Sequence, residues 1–291
     1  TYTRTPLCEM DSARLAFLPL LVQTAGGMNV CITEADLQSY PGMFLHRSGA
    51  DELEGVFAPC PRTVVPGGYD RMQGVVEEYE PFIASVAPGC RLPWRALSIV
   101  RQDTRLADND LVWKLASPCR LDDISWIEPG KAAWEWWNDW GLTGVDFEPG
   151  INTRTYKAYI DFAADYGLEY VVLDEGWSDP KAGDVMSVVE QIDLPELVRY
   201  ADAKGVGLML WVVGNVLDAK LEEACSYYAG LGIRGFKVDF IDRDDQKAVE
   251  LVYRLARVAA AHRLVLDIHG VYKPTGQNLS LIHISEPTRR S

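Results

Sequence analysis

The 291-residue sequence has no run of about eighteen or more apolar residues, so no segment reads as a membrane-spanning helix. It is short of positive charge: 28 Lys and Arg stand against 42 Asp and Glu, a net charge of −14. That balance argues against nucleic acid and an anionic membrane surface as partners, because like charges repel. The six cysteines (Cys8, Cys31, Cys60, Cys90, Cys119 and Cys225) contain no CxxC pair, which argues against metal ligation by thiolates. An even count permits disulfides and establishes none. There is no initiator Met and no charged-then-apolar leader, so the expectation is an internal part of a longer protein.

What is present is ordinary globular composition, 48% hydrophobic and 24% charged, in a length that suits about two domains. Nine Trp and thirteen Tyr are the exception. Most should pack in the core. An aromatic face is also a good seat for the apolar side of a pyranose ring.

Two rhythms divide the chain. Residues 1–130 carry short apolar runs, LAFLPLLVQ and NVCITEA, with Gly26-Gly27 between them, and a Pro- and Gly-rich stretch, VFAPCPRTVVPGGYD. RALSIVRQ and VWKLA add two strand-like pieces. This region is expected to be the C-terminal part of a β-sandwich plus a linker. From residue 131 to 278 strands and helices alternate, beginning with AAWEWW and a helix opened by Asn152. The strands LEYVVL, VGLMLWVV, GFKVDF and RLVLDIHG follow, separated by helical segments that end at Gly167, Gly205 and Gly232. Alternation of this kind implies parallel strands with crossover helices, and the nearly all-apolar strands imply burial on both faces. The fold class is therefore α/β, a partial (β/α)8 TIM barrel of about five strands preceded by a β-domain. No GxGxxG or P-loop follows the first strand, which sets a doubly wound nucleotide fold behind the barrel. The stretch SLIHISEPTRRS fits neither element type; residues 279–291 read as a non-native, adapter-like tail, and His283 and Glu286 receive no role.

Polar residues gather at the C-terminal ends of the strands, the rim where such barrels build their sites. Asp174-Glu175 end one strand ahead of Gly176-Trp177, Asn215 follows the next, Lys237 and Asp239 lie on a third, and His269 ends a fourth. Lys237 and Asp239 are two apart on a strand and share a face. A carboxylate beside a lysine stays ionised, as a nucleophile requires, although an internal ion pair with no chemistry has the same pattern. Asp242 continues into the next loop, and Asp244 and Asp245 suit the first turn of a helix. The carboxylates of Asp174 and Glu175 could bind sugar hydroxyls or simply be solvated loop acids. His269, followed by Gly270, Tyr272 and Lys273, could donate to substrate, bind a metal or pack. Glu34 carries no signal of its own.

Taken in order, ITEADLQSYPGM, PGKAAWEWWN, YVVLDEGW, GFKVDFIDRDDQ and DIHGVYKPTG closely resemble glycoside hydrolase family 97, over roughly residues 1–277. The resemblance implies a terminal α-galactosidase or α-glucosidase with a (β/α)8 barrel between β-domains, acting on oligosaccharides and exported or periplasmic. It implies a calcium ion near the substrate, with Glu34 as one ligand and the others beyond this sequence. The family's inverting branch has a glutamate directly after the fifth-strand histidine, where this sequence has Gly270. Its retaining branch has an aspartate nucleophile matched by Asp239. Both positions imply retention, with α-galactoside favoured and α-glucoside the alternative. By analogy with related galactosidase barrels, Lys237 and Asp174 would bind sugar hydroxyls, with His269 beside them and Trp177 lining the pocket. The acid/base glutamate of the family follows the YKPTG motif, so this chain is expected to lack it. Two other readings stand beside the enzyme: an inactive sugar-binding remnant with an aggregation-prone open sheet edge, and a metal-dependent lyase or isomerase using Lys237 as base. The oligomeric state is not legible.

Overall fold

The computed structural model describes residues 4–68, 72–179 and 184–277. The SLIHISEPTRRS stretch lies outside the described residues. The N-terminal region is antiparallel. Strands β1 (Leu20–Gln23), β2 (Asn29–Ala35) and β7 (Trp94–Val100) form a three-stranded sheet in the order β1-β2-β7. Two hairpins complete it, β3 (Met43–Arg47) with β4 (Leu53–Phe57) and β5 (Pro61–Gly67) with β6 (Gln73–Tyr79). Both hairpins went unassigned in the sequence; in the second, Pro61, Pro66 and Gly67 all fall within one strand. Among the described residues all six cysteines are free.

VWKLA is not a strand. Its residues lie in a short helix, α1 (Leu111–Leu115). Asn109 Oδ1 accepts from Leu111 N at 3.0 Å, and Lys114 reaches back one turn to Asp110 at 2.8 Å. Local capping and an i,i+4 ion pair thus outweigh the β-type composition. AAWEWW is extended only over β8 (Ala132–Trp134); Glu135–Asn138 turn into a 3-10 helix, stopped by Asp139 in the left-handed region at φ 54°.

From β8 onward the sheet is parallel. Its order is β12-β11-β10-β9-β8, with β9 (Tyr170–Leu173), β10 (Gly207–Val213), β11 (Gly235–Asp239) and β12 (Val265–Ile268). Helices α2 (Thr153–Tyr166), α3 (Leu194–Asp202), α4 (Gly214–Ala219), α5 (Leu221–Leu231) and α6 (Gln246–Ala261) make the connections. This is a partial (β/α)8 barrel in which β8 and β12 each have one strand partner among the described residues. Asn152 caps α2 by accepting from Thr155 N at 2.9 Å, and Asp193 and Asp245 cap α3 and α6 in the same way. Gly167 and Gly232 end α2 and α5 with φ of 65° and 110°, a conformation that costs glycine nothing.

Strand parity separates core from site. Ala133, Val171, Leu173, Leu208, Leu210, Val212, Phe236, Val238, Leu266 and Ile268 point outward and join one buried cluster with the helices. The alternate residues point inward, and the register aligns them: Trp211 with Lys237 with Asp267, and Val213 with Asp239. A strand whose two faces differ in this way is apolar on the helix side and chemically equipped on the other.

Candidate active site

The inward residues at the C-terminal end of the sheet open into a cavity of 490 Å³. Trp134, Trp137, Asp239, Asp242, His269 and Gly270 are in its wall, with Phe17 and Phe44 contributed by the N-terminal region. Asp239 is half-buried. Its Oδ1 accepts from Phe240 N at 2.8 Å and its Oδ2 from Trp211 Nε1 at 3.3 Å. Phe240 and Asp242 carry positive φ, 56° and 48°, so the chain turns sharply just after the carboxylate. Bulky residues rarely adopt this conformation; the strain sits where the side chain is aimed.

Gly270 is the complement of Asp239. Its φ is 52°, and a Cβ there would lie 2.9 Å from Asp239 Oδ1, 2.9 Å from Phe240 N and 3.0 Å from Asp242 Oδ1. No side chain fits at position 270 with Asp239 where it is. Asp242 receives Gln73 Nε2, and burial raises its pKa above the usual carboxylate range, with Asp239 adding to the rise.

Lys237 and Asp239 share a face, but the ammonium does not go to Asp239. Lys237 Nζ donates to Asp174 Oδ2 at 2.5 Å, and both side chains are almost fully buried. Trp134 Nε1 donates to the same oxygen, Glu175 N donates to Oδ1 at 2.8 Å, and the ammonium sits 4.1 Å over the Trp134 ring. The internal ion pair therefore exists, with Asp174 as its acid. Neither residue is in the cavity wall; both stand behind Trp134.

His269 reaches the cavity. Its Nε2 is 3.1 Å from Asp267 Oδ2, leaving Nδ1 for other partners. Burial opposes the imidazolium, but the Asp267 hydrogen bond and charge outweigh it, and the pKa is raised.

Trp177 does not line the cavity. It is fully buried on the helix side, with its ring edge-on to Tyr228 at 5.7 Å and Nε1 donating to Trp211 O at 2.7 Å. The turn at Gly176 directs it into the core instead of the rim. Trp134 and Trp137 occupy the aromatic wall. One Trp134 face meets the Lys237 ammonium, and Trp136 stacks on the ring at 5.5 Å. Trp137, with 76% of its surface exposed, has a ring face to offer a ligand. These tryptophans, and Trp211, were missed in the sequence; inward strand parity could have found Trp134 and Trp211, whereas Trp137 lies in the 3-10 helix and has no strand parity to show it.

Glu34 is fully buried beneath the N-terminal contribution to the rim. Oε1 accepts from Met43 N at 3.0 Å and from Lys273 Nζ, while Arg95 Nη1 lies 2.8 Å from Oε2. Two cations already neutralise this carboxylate. Calcium wants six to eight hard oxygens, and among the described residues no group of three or more His, Cys, Asp or Glu could hold a metal. Glu34, engaged by these two cations, does not by itself supply that set, and no chemical step is routed through calcium.

The relatives match this architecture at both ends. The family profile described as Glycoside hydrolase 97 matches residues 136–280, and Glycosyl-hydrolase 97 N-terminal matches residues 1–118. A retaining alpha-galactosidase of Bacteroides thetaiotaomicron is 48% identical over 279 residues, 96% of this chain and 42% of that protein. A probable retaining alpha-galactosidase of Streptomyces bingchenggensis is 35% identical over 198 residues, 66% of this chain and 30% of that protein. The chain thus spans less than half the length of either relative. A family 97 enzyme from Pseudoalteromonas sp. strain K8, solved in complex with acarbose, superposes with a TM-score of 0.73 at 23% identity, covering 92% of this chain and 43% of that one; at that identity it speaks for the fold. With both regions of one family matched in order, and a relative 48% identical over almost the whole chain, the chain belongs to glycoside hydrolase family 97.

Proposed function

We propose that the complete protein hydrolyses terminal α-galactosides with retention of configuration, through a glycosyl-enzyme intermediate on Asp239. The observation that carries this reading is the fit between Asp239 and Gly270. Where an inverting enzyme would need a base after the histidine, there is no room for a side chain, and the carboxylate of Asp239 fills the position instead. The 48% identity to a protein named a retaining alpha-galactosidase points the same way.

In this mechanism an Asp239 oxygen attacks the anomeric carbon while the glycosidic oxygen leaves with a proton. Water then cleaves the resulting ester and restores the starting configuration. The proton donor must sit about 5–5.5 Å from the nucleophile and is assigned to the complete protein, as the resemblance implies. Trp211 Nε1 and Phe240 N hold the carboxylate by its two oxygens and so fix its direction of attack. Trp137 offers a stacking face, His269 an adjustable donor, and the Asp174–Lys237 pair a paired acceptor and donor for sugar hydroxyls once Trp134 yields. An α-glucoside would use the same chemistry; the two relatives named for galactosides decide the order of preference. Export to the periplasm or beyond is the matching proposal for location; no helix among the described residues is long and apolar enough to cross a membrane.

The test is Asp239→Ala in the complete enzyme. Hydrolysis of an activated α-galactoside should fall to background, and added azide should restore turnover as β-galactosyl azide. Unchanged hydrolysis by the variant would remove Asp239 from the mechanism.

A further inference from the structure

Glu135 is a carboxyl group that the mechanism above leaves unused, although it is completely buried beside the site. It begins the 3-10 turn after β8. Its Oε1 accepts from Asp174 N at 2.7 Å and from Tyr156 Oη at 2.8 Å, and Trp140 Nε1 in turn donates to Tyr156 Oη at 3.3 Å. Its Oε2 has no hydrogen-bond partner among the described residues. A buried carboxyl with an orphaned oxygen is costly, and a neutral acceptor could have satisfied both donors. The position of those donors gives the reason for the expense: one is the backbone of Asp174, whose carboxylate receives Lys237 and Trp134.

We propose that Glu135 is a positioning residue. It clamps the end of β9 to the end of β8, fixing the Asp174 carboxylate, and through it the Lys237 ammonium, in the geometry that receives the sugar once Trp134 yields. The inference rests on the galactosidase reading, since it assigns Asp174 and Lys237 to sugar hydroxyls. Glu135 acts through them and touches no substrate.

The groups facing Glu135 come from three elements. Asp174, directly after β9, repels its charge, Tyr156 and Tyr159 on α2 lie against it, and Lys237 on β11 is reached through Asp174. Burial is the largest influence and pushes its pKa up to about 7, the Asp174 charge adding to it. Below that pH the clamp is neutral. Above it a second carboxylate competes with Asp174 for the single ammonium, and sugar binding should weaken.

The experiment uses the complete enzyme with Glu135→Leu and Glu135→Gln, following kcat and KM on p-nitrophenyl α-galactoside from pH 5 to 9, with melting temperature alongside. The leucine variant removes the acceptor; KM should rise about tenfold or more with a smaller change in kcat, as expected for loss of binding made equally in ground and transition states. The glutamine variant keeps an acceptor oxygen but cannot ionise. It should recover most of the lost affinity, and the rise of KM through pH 7 expected of the parent should disappear. If the leucine variant does not fold, the pH profile of the glutamine variant decides. The proposal is overturned if KM in the leucine variant stays within about twofold of the parent, if the glutamine variant keeps the parent's pH profile, or if both variants lose kcat and melting temperature together with KM unmoved. A parent enzyme inactive on the galactoside would overturn the galactosidase reading and this inference with it, a result distinct from each of these.

Discussion

Lys237→Met removes the cation paired with Asp174 while preserving most of the side-chain volume. In the folded protein the pair is 2.5 Å apart with side chains 4% and 3% exposed, so water cannot replace the lost partner. Asp174 keeps Trp134 Nε1 and Glu175 N, which are neutral donors. Breaking a buried pair from one side typically costs about 3–5 kcal/mol, because the remaining charge is stranded. At roughly 2–4 °C per kcal/mol for a domain of this size, the melting temperature should fall by about 6–20 °C. Asp174→Asn strands the ammonium and should cost a similar amount. The double variant carries no stranded charge and should lie within about 2 kcal/mol of the parent, since removing a whole buried pair is often nearly neutral. Urea unfolding of the four proteins gives the coupling energy as a double-mutant cycle. A cost below about 1 kcal/mol for Lys237→Met, with additive single effects, would refute the description of this pair as dry and mutually dependent.

Three further outcomes are expected. Gly270→Ala places a Cβ 2.9 Å from Asp239 Oδ1 at φ 52°; stability should drop by about 1–2 kcal/mol, while kcat falls on the order of a hundredfold because the nucleophile is displaced, as steady-state kinetics and melting curves will show. Trp137→Ala leaves melting within about 0.5 kcal/mol, since the ring is largely exposed, but raises KM for galactosides, measured by the same assay. Glu135→Gln isolates one titration in stability. The pKa of Glu135 is raised from 4.5 to about 7, so the folded state binds the proton more tightly than the unfolded one. That contribution is complete below pH 4.5 and is lost as pH rises to about 7, a change on the order of 3 kcal/mol. The variant should therefore gain stability relative to the parent between pH 5 and 8, a trend that melting temperatures across that range will read.

The barrel was readable because its strands are apolar runs of three to seven residues bounded by caps that have one physical meaning each. Asn152, Asp245, Gly167 and Gly232 all stand where the chain needs a side-chain acceptor or a left-handed turn. The N-terminal hairpins were hidden by their prolines and glycines, and α1 by a composition that favours strands. Within the site, Asp239, Asp242 and His269 were visible as polar ends on apolar strands. Ion pairing was not: Lys237 is two residues from Asp239 and sixty-three from Asp174, yet barrel register and the pull of a buried acid send it to the distant partner. Trp177 was misplaced because sequence adjacency to Asp174-Glu175 says nothing about which way the turn at Gly176 faces. Glu135 gave no signal at all, as its role depends on a backbone amide thirty-nine residues away.

The central claim is that Asp239 is the nucleophile of a retaining reaction. Proton NMR of the first sugar released by the complete enzyme, recorded before mutarotation, tests it most directly. The account predicts the α-anomer. The β-anomer as first product would mean a single displacement by water, and Asp239 would lose its role.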